Sequence, residues 1–196
     1  MRCKRQHIAT GYLVGVVLAA ILLLLAMASE VGASDYKSNF DKIPAVNNRP
    51  IRVASWKRTP TVIVCDGTPI KEAPVKKAVK FWKDLGHHFF TTQYKYDPLN
   101  KCRQSDPVGY IIIRLIGQEI EIGEDSLAVT HFYVDNDTKE VDWAIIYLKN
   151  DIRDTVLEHE IGHALGYLHY NKINHLMNSK WIQGGWDKQG LENRQR

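Results

Sequence analysis

The sequence predicts an α+β domain with one mixed sheet, and three observations carry that prediction. Residues 61–65 (TVIVC) and 110–116 (YIIIRLI) are dense in β-branched side chains, as buried strands are. Residues 72–85 and 152–168 instead repeat apolar residues at helical spacing. The order along the chain is strand, helix, three or four strands, helix, which suits helices packed on one sheet.

In order, 61–65 is the first predicted strand, and Asp66-Gly67-Thr68-Pro69 turns the chain. Residues 72–85 carry the stripe Val75, Ala78, Val79 and Trp82, and Gly86 stops that helix. Residues 88–96 are aromatic and β-prone, ended by Asp97-Pro98. The run 110–116 reads as a buried strand, 127–134 alternates like a half-exposed one, and 141–149 is another. The second helix, 152–168, places Val156, Leu157, Ile161, Ala164, Leu165 and Leu168 on its apolar side. After Gly166 the pattern is loop-like, with Gly184-Gly185 as a break. His87 and His88 sit at a strand start and His175 in a loop, and all three read as ordinary structural residues.

Two segments precede this body. Residues 1–33 join a basic start (Arg2, Lys4, Arg5) to an apolar run at 11–28, followed by small residues around Ala28 and Ala33. That layout is a cleaved signal peptide or a retained signal-anchor transmembrane helix, the run being just long enough to span a bilayer. Both place the rest of the chain outside the cytoplasm, secreted or membrane-anchored. Residues 34–58 are polar and aperiodic, with Pro44 and Pro50, and read as a linker or extended arm. The body is then 59–196.

The net charge of +4 is concentrated at that N-terminus. Setting its three basic residues aside leaves 23 basic against 22 acidic ones, so the body offers no electrostatic case for nucleic acid. Cys65 and Cys102 form an even pair in an oxidising compartment, so a disulfide is expected, with two free buried thiols as the alternative. Such a link stabilises a fold by about 3–4 kcal/mol in the chain-entropy model.

The chemistry concentrates in residues 159–169, HEIGHALGYLH. On a helix, His159 and His163 are four apart and project from one face toward one ion. Glu160 lies about 100° around the helix from His159, near enough to touch a water without ligating the metal. Gly166 takes a positive φ at low cost and ends the helix, so His169 can return as a third ligand. Three neutral imidazoles leave Zn²⁺ one open position, the mark of a catalytic site. A metal-activated water with Glu160 as general base then fits hydrolysis of a carbonyl compound. At ordinary residue usage the full pattern arises by chance in fewer than about one in ten thousand chains of this size.

HEIGHALGYLH matches every fixed position of H-E-x-x-H-x-x-G-x-x-H, so the chain resembles the metzincin zinc endopeptidases. Met177, in NHLMNSKW, matches the methionine turn beneath the metal, and its short distance from His169 is similar to the matrixin branch. The resemblance implies a twisted, mostly parallel sheet with an antiparallel edge strand, two main helices, and one zinc at the end of the second. It implies His159, His163 and His169 as ligands, Glu160 as base and Met177 as floor. It also implies that Ser126, Leu127, Ala128, Val129, Thr130 and His131 belong to an edge strand that binds a peptide by β-pairing. Residues 178–181 would wall the pocket by the metal.

The sequence departs from the family in several places. Ser179 stands where some metzincins carry a tyrosine, and Tyr170 matches no subfamily mark. The arm has no cysteine to cap the metal, and no convincing match to a second zinc or to calcium loops is present, His131, Asp135 and Asp137 included.

These features predict a zinc endopeptidase, a monomer acting on a protein or peptide held as an extended strand. Two alternatives are a zinc amidase on cell-wall peptide and a catalytically silent metal-binding module. An intact Glu160 argues against the silent module.

Overall fold

The computed structural model describes residues 49–117, 120, 126–150 and 152–193. The signal or anchor reading of 1–33 and most of the 34–58 arm lie outside them. Six strands form one sheet: β1 (Ser55–Trp56), β2 (Thr61–Val64), β3 (Thr92–Tyr94), β4 (Tyr110–Leu115), β5 (Ala128–Val134) and β6 (Glu140–Leu148). The order β3-β2-β4-β6 is parallel throughout, while β5 runs antiparallel on the other side of β6. The short β1 pairs in parallel with the start of β6.

The central strands are apolar on both faces because both faces are covered. Val62 and Val64 of β2, Ile111 and Ile113 of β4, and Ala144, Ile146 and Leu148 of β6 face the helices. Ile63, Cys65, Ile112, Ile145 and Tyr147 point the other way into a second, smaller cluster. There the expected disulfide is present: Cys65 at the end of β2 joins Cys102 in a 3-10 turn (Lys101–Arg103), with 5.7 Å between their Cα atoms.

Two helices lie on the first face. Helix α1 (Glu72–Asp84) buries the predicted stripe of Val75, Ala78, Val79 and Trp82, and Pro74 falls in its first turn, where no amide donor is needed. Its crossover returns the chain to β3 beside β2, the usual parallel connection. Helix α2 (Val156–Ala164) packs against α1: the indole Nε1 of Trp82 donates to Glu158 O at 2.8 Å. No helix of the described residues is long and apolar enough to cross a membrane.

Several boundaries differ from the sequence reading. Helix α2 begins four residues later than predicted, because Asp154 and Thr155 form a turn in which Thr155 takes a left-handed φ of 71°. Only Thr92–Tyr94 of the β-prone run 88–96 is strand. His87 and Phe89 turn into the core there, while Phe90 is 80% exposed. The last stretch of the predicted arm is extended but attached, since it contains β1 and bridges Arg52 to Tyr167.

Candidate metal centre

Helix α2 carries His159, Glu160 and His163, and the chain leaves it as predicted. Leu165 N–H closes on Ile161 O, and Gly166 follows with φ +89°. His169 then comes back to the same point. The Nε2 atoms of His163 and His159 lie 2.9 Å apart, and those of His163 and His169 lie 3.1 Å apart. Among the described residues, these three form the one group of His, Cys, Asp or Glu side chains close enough to share an ion.

The tautomers test whether a cation fits. His159 Nδ1 lies 2.7 Å from Leu176 O and His163 Nδ1 lies 2.8 Å from Tyr167 O. A carbonyl only accepts, so each Nδ1 carries the proton and each Nε2 presents a bare lone pair. Two lone pairs facing each other at 2.9 Å repel unless a positive charge sits between them. The backbone carbonyls act as the outer partners that orient metal-ligating imidazoles. The donor set fits zinc.

Burial agrees with neutral rings. Each ring keeps part of its surface open, yet the protein around it is dense. Desolvation holds His159 down to about 4 and His163 well below the usual imidazole value, with the neighbouring histidines adding to the effect on His163.

Glu160 is buried, and desolvation pushes its carboxyl up to about 7. One group opposes that shift. The Thr130 hydroxyl lies 2.6 Å from Glu160 Oε2 and 3.1 Å from the Glu160 backbone carbonyl. Thr130 comes from β5, in the segment the sequence assigns to peptide binding, and here its side chain contacts the acid.

The other residues of that segment alternate as a strand must. Ala128 packs toward the helices, Val129 joins the far cluster, and His131 lies on that far face with its ring 5.2 Å from the Tyr147 ring. Ser126 and Leu127 precede the strand. Lys149 N–H, just past β6, donates to Leu127 O, so residues 127 and 149 form a hydrogen-bonded pair that extends the β5–β6 register. By alternation the backbone groups of Ala128 and Thr130 point away from β6.

Met177 is fully buried beneath α2. A side chain at Gly162 would meet Met177 Sδ and the Trp82 ring, so the glycine allows the helix to sit down on the methionine. Adjacent Leu176 supplies the carbonyl that orients His159.

His175, read from the sequence as a loop residue, sits under this turn. Its Nδ1 accepts from Met177 N–H at 3.1 Å and its Nε2 donates to Gln189 O at 3.1 Å. Its partners are backbone groups, one of them 14 positions away, so this role had no local signal. Thr130 as a partner of Glu160 had none either, because the two residues are 30 positions apart. Trp181 is 42% exposed; its Nε1 donates to Asp154 O, placing it by the entry to α2.

No family model matches the sequence, and no curated protein matches it. Among solved structures, the fold is similar to metalloproteinase-II from Bacteroides fragilis, with a TM-score of 0.42 and 14% identity. That match covers 71% of this chain and 54% of the other, so the chain spans about half that protein's length.

Proposed function

We propose that this chain is a zinc-dependent endopeptidase of the metzincin type, closest to the matrixins. The observation that carries the reading is the convergence of His159, His163 and His169 on one point, with two Nδ1 protons committed to backbone carbonyls and a buried carboxylate alongside. A zinc ion held there would supply Lewis acidity toward a water and a peptide carbonyl.

The chain's own residues divide the remaining work. Glu160 takes a proton from the attacking water and returns it to the leaving amine, a role suited to a buried carboxyl held beside the three histidines. Thr130 holds Oε2, which leaves Oε1 for that exchange. The peptide lies along β5, using the backbone groups of Ala128 and Thr130 that face away from β6. The N-terminal pattern and the Cys65–Cys102 disulfide support an exported domain, secreted or anchored.

Casein zymography of the wild type, with and without a chelator, tests the activity, and Glu160→Ala tests the mechanism. Cleavage is expected to disappear with chelator and in Glu160→Ala, while that variant still binds one zinc per chain. Undiminished cleavage by Glu160→Ala sinks the base assignment.

A further inference from the structure

We propose that residues 51–56 form a clasp that positions His163 and His169 by capping the C-terminal end of α2. The inference rests on the metal-site reading above. A helix leaves its last carbonyls without intrahelical donors, and something else must satisfy them. In this chain one distant segment takes the last helical carbonyl and the two that follow it. Ala164 O accepts from Trp56 Nε1 at 2.8 Å, Leu165 O from Arg52 Nε at 2.9 Å, and Gly166 O from Val53 N–H at 2.9 Å. Leu168 N–H donates in return to Ile51 O at 2.9 Å.

All four bonds fall between His163 and His169. Their arrangement bears on the ligands because of what it leaves over. The antiparallel bridge of Arg52 to Tyr167 uses the backbone groups on either side of Tyr167 and none of its own. Tyr167 N–H therefore turns back to Gly162 O at 3.0 Å, and Tyr167 O receives the His163 Nδ1 proton. The clasp thus holds the peptide unit that sets the tautomer of one ligand, two residues before the next. Gly166 permits the approach, since a side chain there would collide with the Ala54 backbone.

Arg52 secures the clasp in two further ways. Its Nη1 donates to Asn193 Oδ1 at 2.8 Å, and its guanidinium lies 5.5 Å from the centre of the Tyr167 ring. It also brings a positive charge to the negative end of the helix. Arg52 and Trp56 are positioning residues, not ligands.

The test uses the full chain with Trp56→Phe, which keeps the ring and removes the donor, and Arg52→Met, which keeps the stem and removes the fork. Lys57→Ala, just outside the clasp, is the control. Zinc affinity is read by competition with a chelating dye, and unfolding is followed separately in excess chelator. Each clasp variant is expected to bind zinc about 10-fold more weakly and the double variant up to about 100-fold, the range for lost outer partners of a ligand. Lys57→Ala is expected to match wild type.

If Trp56→Phe and Arg52→Met lower metal-free stability but bind zinc as tightly as wild type, the segment is only structural and the clasp is overturned. Trp56→Phe is mild enough to decide the matter should Arg52→Met not fold. A wild-type chain that takes up no zinc instead removes the metal-site reading, and the clasp with it.

Discussion

His159 and His163 keep part of their surface open and His87 and His175 do not, yet desolvation lowers the pKa of all four. A lowered pKa therefore does not separate a candidate ligand from a structural histidine. The position of the proton does. His87 and His175 each direct Nε2–H to a backbone carbonyl, of Leu191 and Gln189 respectively, and are satisfied within the protein. His159 and His163 give up the Nδ1 proton and turn bare Nε2 atoms toward each other. In this chain the carbonyl lies on Nδ1 in the two candidate ligands and on Nε2 in the two structural histidines.

The sharpest way to break this comparison is to remove one histidine of each kind. His163→Ala is expected to lower zinc affinity by more than the roughly 10–100-fold that losing an outer partner costs. His175→Ala keeps all three candidate ligands and is expected to fall within that range, through the Met177 turn and the Leu176 carbonyl. It also leaves Met177 N–H and Gln189 O unpaired, at about 1–3 kcal/mol of stability. Chelator competition and urea denaturation read the two effects. Equal zinc loss in both variants would erase the distinction.

Acid sharpens the contrast next. Burial holds His87 down to about 4, whereas the unfolded chain protonates it near 6.5. Its contribution to stability is complete above about 6.5 and is lost as pH falls toward 4, because only the unfolded chain gains the proton. The loss amounts to at most about 3 kcal/mol. His87→Phe keeps an aromatic ring against Trp82 and Tyr167, and Tyr167 OH still donates to Leu191 O at 3.0 Å. Urea midpoints of the metal-free chains between pH 7 and 4 are expected to fall less steeply for His87→Phe than for wild type. Parallel slopes refute the assignment.

The smallest expected effect lies at Thr130. Thr130→Val removes the bond to Glu160 Oε2, and turnover of a peptide should drop by about 10-fold, the worth of one hydrogen bond to a charged group. Thr130→Ser restores the hydroxyl and should recover most of it, with KM little changed in both. A rate unaltered by valine rules out the positioning role.

Much of this was legible in the chain. The stripe of α1 appeared at its observed positions because helical periodicity is local. The strands of β2, β4 and β6 were visible because buried parallel strands are apolar throughout. The spacing of His159, Glu160 and His163 required only that a helix form, and Gly166 marked its end. The cysteine pair was expected from its even count in the body and from the exported compartment that the N-terminal pattern predicts.

The arm shows where that legibility stopped. Residues 51–56 hold no periodic pattern, and Arg52 and Trp56 reach partners more than a hundred positions away. By itself, then, the sequence determined which residues share a helix face and which side chains can bind an ion, since both depend on spacing and chemistry within a few residues. The tertiary structure alone decided which nitrogen of His159 and of His163 is bare, that Thr130 meets Glu160, and that the arm caps α2. The partners there are largely backbone carbonyls, which every residue carries alike, so nothing in the amino-acid letters marks the ones that matter.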